Sequence, residues 1–486
     1  MGRPVLAPHL SLELSREEMP LNPASARSDG SSHRGTVAIH TLGCKLNQAD
    51  SDALARRFVL AGYSITDSED RADVVVLNTC TVTATADSKA RQILRSFHRA
   101  NPNALLVATG CYAQRSADEL ARVEGVALVL GNTQKEELVA RVTEALGLGK
   151  VSRPDGAAEP GRPVDTEIAS ATGMAPQVIS PFGGLRRRAM IKIQEGCDQV
   201  CAYCIVPKVR GRERSIPPDD LVQQIQQRVS EGCQEVVLTG TQLGSYGFDL
   251  PEASLLGLLR RILAETVVPR LRVSSLQPQE IQPGLLELWQ DGRMCPHFHL
   301  PLQSGSDRIL SAMRRRYTVA QFENTVELIR RTIPDAGITA DLIVGFPGEE
   351  DGEFQESRAF VRLMAFSDMH IFPFSARPGT SANHFGGKVA AETKKQRTAE
   401  MLELAKEGFR KFREDQLGQT RPVLWESVRQ VAGTPAWSGL TDSYIRVYTN
   451  TLEDLYNRIT PARLLEVNGE WVSAKTSGTV RTSANG

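Results

Sequence analysis

The sequence predicts an α/β chain in three folded parts. These are an N-terminal parallel-sheet domain of the Rossmann or flavodoxin kind, a partial (β/α)6 barrel of the TIM type, and a small antiparallel β-barrel. Three observations predict it. Short apolar runs alternate with helix-spaced stretches from Val37 to about Gly149; strand–helix units recur between Ala189 and Phe374; and from Gln416 onward β-prone runs alternate with turn residues. Strand–helix alternation argues a parallel sheet covered on both faces, and short, closely spaced strands argue a small barrel.

In the first part, residues 36–149, strands are predicted at Val37–Leu42, Val74–Leu77, Ala104–Ala108 and Ala127–Leu130, with helices at Gln48–Ala61, Ala86–Ala100 and Ala117–Glu124. Cys44, Cys80 and Cys111 each fall one to three residues past a strand end. Open parallel sheets bind ligands outside the carboxyl ends of their strands, so three thiols distant in sequence would meet at one edge. Gly43 and Gly110 precede two of them and let backbone approach a bulky cofactor. A single free cysteine is commonly a buried, inert thiol; the shared placement of three predicts a metal site.

Residues 150–183, rich in Pro, Gly and Ala and without periodicity, read as a linker. Residues 184–415 then carry strand candidates at Ala189–Ile193, Glu235–Leu238, Leu271–Val273, His297–Leu300, Ile338–Val344 and Met369–Phe374. Helices such as Asp219–Glu231, Leu255–Glu265, Val319–Thr332 and Glu353–Met364 fall between them. Six such units make three-quarters of an eightfold barrel, whose active residues sit on the loops after the strands. The Thr239-Gly240, Ser274-Ser275, Gln303-Ser304-Gly305 and Gly345–Glu349 stretches would rim that mouth.

The loop after the first barrel strand holds Cys197, Cys201 and Cys204 within eight residues. Three such thiols cannot all pair as disulfides, and a closed zinc site wants four ligands. They suit a cubane iron–sulfur cluster with one iron left open, ahead of an incomplete zinc site or a chance grouping. Lys208, Arg210, Arg212 and Arg214 follow directly: either cations that grip nucleic-acid phosphates or a solvated basic loop. Arg314, Arg315 and Arg316 are expected on the surface, with at most one of the three directed at a ligand carboxylate. Cys233 and Cys295 read as ordinary packed thiols.

A charged helix, Glu392–Asp415, leads to residues 416–477, where β-prone runs lie at Arg421–Trp425, Tyr444–Tyr448 and Trp471–Ala474. Trp437, Tyr444, Tyr448 and Tyr456 could stack on RNA bases, but aromatics in a small barrel are more often core, so this part alone reads as structural. Residues 1–35 and 478–486 read as tails, the first disordered and without a secretory leader. At 486 residues the chain exceeds one ordinary core, and Lys plus Arg equal Asp plus Glu at 57 each. No global field draws it to nucleic acid, so RNA contact would be local and no DNA contact is expected. With eight cysteines, no leader and no membrane span, a reduced, cytoplasmic setting is expected, where clustered thiols mean metal or catalysis.

As a set, these pieces resemble the radical S-adenosylmethionine (SAM) methylthiotransferase family from about Val37 to about Thr476. The resemblance is carried by the Cys-x3-Cys-x2-Cys loop with Tyr203 before its last thiol, by Leu42-Gly43-Cys44-Lys45-Leu46-Asn47-Gln48, by Asn78-Thr79-Cys80-Thr81-Val82-Thr83, and by Thr109-Gly110-Cys111. The segments His299–Ser306 and Asp341–Glu349 add to it. It implies a 4Fe-4S cluster on Cys197, Cys201 and Cys204 whose open iron binds SAM, and a second 4Fe-4S cluster on Cys44, Cys80 and Cys111 that delivers sulfur. One SAM would be cleaved to a radical that removes the hydrogen from carbon 2 of the adenosine at tRNA position 37, and another would donate the methyl group.

At the barrel mouth, the Thr239-Gly240-Thr241-Gln242 turn, Ser274, Ser275 and Gln303 are candidates for holding SAM together with Tyr203, and Gly345 would let backbone approach its adenine; the alternative is that the glycines only end strands and the serines only satisfy loops. Lys208, Arg210, Arg212 and Arg214 would meet the tRNA anticodon stem-loop. By the same resemblance, the tail would be a tRNA-contacting TRAM domain, which reverses its structural reading, and the electron donor would be a flavodoxin or ferredoxin. Gly43–Asn47, Arg314–Thr318, Ser375–Thr380 and Gly439–Ile445 resemble the subgroup acting on threonylcarbamoyl-adenosine. The isopentenyl-adenosine and ribosomal-protein methylthiotransferases are the near alternatives. Outside the family, a passive electron carrier would need four protein ligands per cluster, and a zinc-dependent RNA-binding regulator would hold zinc at both triads.

Overall fold

In the computed structural model the described residues are 34–147, 188–431 and 433–476. The linker expected at 150–183, the tail at 478–486 and nearly all of that at 1–35 lie outside them. The N-terminal sheet comprises β1 (Thr36–Thr41), β2 (Ser64–Thr66), β3 (Val74–Thr79), β4 (Leu105–Gly110) and β5 (Val126–Leu130). All are parallel, in the order β2-β1-β3-β4-β5. Sequence patterning misses β2, whose three residues are too few to show a period.

Each face of this sheet buries its own core. Leu54 and Phe58 of helix Lys45–Leu60, with Leu138 and Val142 of helix Leu138–Ala145, cover Val37, Val74 and Val76. Leu94 and Phe97 of helix Ala84–Ala100 cover Ala38, Val75 and Leu77. Covered on both sides, β3 is buried along its whole length. The strand order reverses between β1 and β3, and ligand crevices open at such switch points.

The middle part begins with β6 (Arg188–Lys192) and a clamp of two short antiparallel strands, β7 (Gln194–Glu195) and β8 (Arg214–Ser215). It continues with β9 (Glu235–Thr239), β10 (Leu271–Val273), β11 (His297–Gln303), β12 (Gly337–Val344) and β13 (Asp368–Pro373). The parallel trios β10-β9-β6 and β11-β12-β13 are joined where Cys295 N donates to Leu271 O at 2.8 Å and Leu276 N to His299 O at 3.0 Å. The result is the expected open arc of six strands.

Helix Lys45–Leu60 of the first domain packs on β6 beside the arc's open side. Asp50 anchors it there, 2.8 Å from Lys192 and 3.1 Å from Arg210. The other end of the arc is capped by a closed barrel of β14 (Thr420–Val431), β15 (Thr434–Thr441), β16 (Arg446–Thr449), β17 (Ile459–Asn468) and β18 (Trp471–Thr476). Arg272, buried and paired with Glu235 at 3.0 Å, donates to Asp442 O at 2.9 Å across this seam. Tyr444 enters the arc and stacks on His297 with ring centroids 4.6 Å apart. No helix among the described residues is long and apolar enough to cross a membrane.

Candidate active site

The β7–β8 clamp closes the base of the loop that carries Cys197, Cys201 and Cys204. At its start Gly196 takes φ +79°, and a Cβ there would run into the Arg212 carbonyl, so only glycine lets the two ends close this tightly. Inside the loop, Cys197 N donates to Gly211 O at 3.1 Å and Ala202 N to Met313 O at 3.0 Å. The three thiols line a cavity of about 240 Å³ together with Tyr203, Thr241, Gln242, Ser275, Gln277, Glu280, Gln303 and Arg315. Burial pushes the Cys197 thiol up to about 11 and the Cys204 thiol up to about 12.

Of the expected SAM contacts, Tyr203, Thr241, Gln242, Ser275 and Gln303 line this cavity, whereas Thr239, Gly240, Ser274 and Gly345 do not. The reason is that residues at the strand ends are consumed by the sheet. Thr239 O accepts from Ile193 N at 2.9 Å and Ser274 N donates to Leu238 O at 3.0 Å. Gly240 is packed against Leu243 and Gln194, and Gly345 against the Lys394 side chain. Beyond the expected residues, Gln277 and Glu280 add to the polar lining. Glu280 accepts from Gln277 N at 2.8 Å and from the Gln242 amide, and burial pushes its carboxyl up to about 7.

Arg315 is likewise inside, not on the surface as expected. It lies 3.5 Å from Cys201 Sγ and 3.2 Å from Gln277 Oε1, and stacks on the Tyr317 ring at 4.8 Å. Arg314, at φ +59°, turns the chain after helix Asp307–Ala312 and aims Arg315 inward. A non-glycine residue in that region is a departure no propensity signals.

The second triad is built by topology. Cys44 caps helix Lys45–Leu60 just beyond β1, Cys80 follows β3, and Cys111 follows β4. Asn47 Nδ2 donates to Leu42 O at 2.7 Å and Thr79 O at 3.1 Å, tying two of these strand ends together. A Cβ on Gly43 would strike Cys80, and one on Gly110 would strike Asn78 and the Thr79 backbone. Both positions therefore need glycine for the strand ends to meet. Burial pushes the Cys80 thiol up to about 12, reinforced by the nearby charges of Cys111 and Cys44.

One short helix, Val206–Arg210, is the wall between the triads. It starts two residues after Cys204, and Cys111 packs against Ile205 and Val209. Asn132 Nδ2 bridges the wall, 3.6 Å from Cys111 Sγ and 2.7 Å from Val209 O. Arg210 closes its end and corrects an expectation: it is buried, 2.6 Å from Glu195 and 3.1 Å from Asp50, and donates to Asn47 Oδ1. It is an interdomain tie with no surface to offer tRNA. Lys208, Arg212 and Arg214 are exposed beside the same loop, with Arg212 2.9 Å from Asp198. Cys233 and Cys295 are buried away from both triads.

A larger cavity of about 500 Å³ between helix Lys45–Leu60 and β6 is lined by none of the six triad thiols. Among the described residues only His299, Asp341 and His370 bring three ligand atoms within 4.8 Å of one another. Neither thiol triad is drawn in around a single zinc, whose sulfur ligands stand about 2.3 Å from the metal. At Cys197, Cys201 and Cys204, three thiols around an open cavity in place of a fourth protein ligand fit a cluster of several irons.

Known proteins agree with this geometry. Residues 36–131 match the Uncharacterized protein family UPF0004, and residues 191–361 match the Radical SAM superfamily. The threonylcarbamoyladenosine tRNA methylthiotransferase MtaB of Aquifex aeolicus is 39% identical over 420 residues, covering 85% of this chain and 96% of the relative. The tRNA-2-methylthio-N(6)-dimethylallyladenosine synthase of Syntrophotalea carbinolica is 32% identical over 437 residues, covering 88% and 96%. Among solved structures, the radical S-adenosylmethionine methyltransferase TsrM of Kitasatospora setae shares the fold at TM-score 0.50 and 17% identity, over 71% of this chain and 73% of that one.

Proposed function

We propose the reaction from one premise: this chain belongs to the radical SAM tRNA methylthiotransferases. Membership brings a 4Fe-4S cluster, SAM and a tRNA substrate. We infer further that the substrate is threonylcarbamoyl-adenosine at tRNA position 37, methylthiolated on carbon 2, with one SAM as radical source and another as methyl donor. Cys197, Cys201 and Cys204 would hold the SAM-binding cluster, and Cys44, Cys80 and Cys111 a second, sulfur-delivering one. A flavodoxin or ferredoxin would supply the electron. The observation that carries the two-cluster reading is the shared wall, with Cys111 packed on residues that directly follow Cys204.

SAM at a reduced cluster supplies a carbon radical, which an unactivated aromatic C–H bond requires. The chain supplies position and charge. Arg315 sets a fixed cation beside Cys201 and offsets the negative charge that thiolate ligands bring. Gln242 and Gln277 hold the Glu280 carboxyl in one orientation, where it can accept from the ammonium or hydroxyl groups of SAM. Ile205 and Val209 keep the partition apolar and exclude water between the sites. Lys208, Arg212 and Arg214, exposed beside the cysteine loop, would meet anticodon-loop phosphates.

Mass spectrometry of tRNA nucleosides from a strain lacking the gene tests the reading. Methylthio-threonylcarbamoyl-adenosine should vanish and its unthiolated precursor accumulate. Its persistence, with loss of methylthio-isopentenyl-adenosine instead, would reassign the chain to the other tRNA subgroup.

A further inference from the structure

We propose that Lys45 forms an anion-recognition subsite beside Cys44 that reads the carboxylate of the substituent on N6 of the substrate adenine. The inference rests on threonylcarbamoyl-adenosine being the substrate. Lys45 is the first residue of helix Lys45–Leu60 and follows Cys44 directly. Its side chain reaches the interior of the arc, where its ammonium lies 5.4 Å from the centroid of the Tyr444 ring. That ring, delivered by the C-terminal barrel, stacks on His297 and also carries Arg272 at 4.9 Å. Three separate parts of the chain thus converge on one half-buried cation.

Among the described residues no carboxylate pairs with Lys45, and Asp341, Glu235 and Asp50 are committed elsewhere. Asp341 is held by His299 at 3.2 Å and His370 at 3.0 Å. Glu235 is bound by Arg270 and Arg272, and Asp50 by Lys135, Lys192 and Arg210. A partly desolvated cation without a counter-charge is costly, and a ligand carboxylate removes that cost. Beside it His370 gives Nδ1 to Asp341, and its Nε2 has no partner among the described residues, leaving a nitrogen for a ligand hydroxyl. A carboxylate next to a hydroxyl is what a threonyl group presents.

The chemistry of adenine agrees with the placement. The N6 substituent and carbon 2 both flank N1, on the same edge of the base. With that substituent held by Lys45, which directly follows Cys44, carbon 2 lies on the same edge of the base as the held group. An isopentenyl substituent would bury apolar carbon against the same unpaired ammonium, so the subsite selects by attraction and by rejection. The convergence of His299, Asp341 and His370 could also suggest a metal ion, but Lys45 and Arg272 make the surroundings cationic and oppose one.

The test is fluorescence anisotropy of the cluster-loaded, full-length protein with two synthetic anticodon stem-loops. One carries threonylcarbamoyl-adenosine and the other its carboxamide analogue, identical in shape but uncharged. The wild type should prefer the acid by about tenfold. Lys45→Met should abolish the preference and Lys45→Arg should retain most of it, with iron content confirming that both variants are loaded. A preference that survives in Lys45→Met, or that is absent from the wild type, overturns the subsite. Neither result touches the substrate assignment, which the tRNA nucleoside profile decides independently.

Discussion

The two thiol triads reach the same end by opposite routes. Cys197, Cys201 and Cys204 sit on one loop whose base is clamped by β7 and β8, so their spacing is local and needs little from the rest of the chain. Cys44, Cys80 and Cys111 come from the ends of three strands and meet only because the sheet orders β1, β3 and β4 side by side. A loop site depends on its own turn; a sheet site depends on every residue that aligns the strands. Mutations should therefore separate the two, and the separation should be sharpest at the ligands.

Replacing Cys44, Cys80 and Cys111 together by alanine should lower reconstituted iron from about eight to about four atoms per chain. Methylthiolation should be abolished while reductive cleavage of SAM continues. The matching replacement of Cys197, Cys201 and Cys204 should abolish SAM cleavage and leave the other half of the iron. Iron analysis and methionine release by chromatography check both, and four irons per chain in the wild type would end the two-cluster reading.

The next effect separates the supports. Gly110 takes φ +97°, with Asn78 and Thr79 occupying the space of a Cβ. Gly110→Ala should cost roughly 2–4 kcal/mol through strain and overpacking. It should lose the strand-end cluster while sparing the loop cluster's electron paramagnetic resonance signal. Gly196→Ala, against the Arg212 carbonyl, should do the reverse. Equal loss of both clusters in either variant would mean that the sites do not fold independently.

Arg210 joins the two regions, and its neighbours test the distinction between a tie and a contact. Arg210→Met should destabilise the protein by about 2–4 kcal/mol, because it strips a partner from buried Asp50 and Glu195. The salt dependence of tRNA binding should barely change. Lys208→Ala should do the opposite: near-neutral for stability, with the slope of log K against log salt reduced by about one. Denaturant midpoints and binding at several ionic strengths distinguish the two.

Those residues also mark how far the sequence could be read. Helices Leu255–Glu265 and Val319–Thr332 match expectation to the residue, because long amphipathic runs leave one solution; the strand Leu271–Val273 matches as well. The loop thiols were legible from spacing and the strand-end thiols from their place after predicted strands. What failed was the direction of cations. In the sequence Arg210 looks like a member of an exposed basic run and Arg315 like part of a solvated triplet. Arg210 turns inward to meet Asp50 on a helix of the other domain, and Arg315 because Arg314 adopts a left-handed backbone. Neither long-range pairing nor a positive φ leaves a mark in local pattern. Glu280 and Gln277 were missed for a related reason: loop residues carry no period that says which side is inward.

The smallest expected effect concerns titration, and here too the regions differ. The strand-end triad is bordered by the amides of Asn47 and Asn132, which do not change charge. The loop cavity holds Glu280, whose carboxyl burial pushes from the ordinary 4.5 up to about 7. The folded protein therefore binds this proton more tightly than the unfolded chain does. Its contribution to stability is fully present below about 4.5 and is lost as pH rises to about 7, after which it stays lost. Glu280→Gln should leave the melting temperature of the cluster-free protein unchanged at pH 4. At pH 8 it should raise stability by about 1–3 kcal/mol, the scale set by the size of the shift. The same variant should weaken SAM binding to the loaded enzyme, since an amide cannot offer a full negative charge to the ligand's ammonium. A stability difference that does not vary with pH would show that the carboxyl ionises freely, and would remove it from the set of groups the cavity tunes.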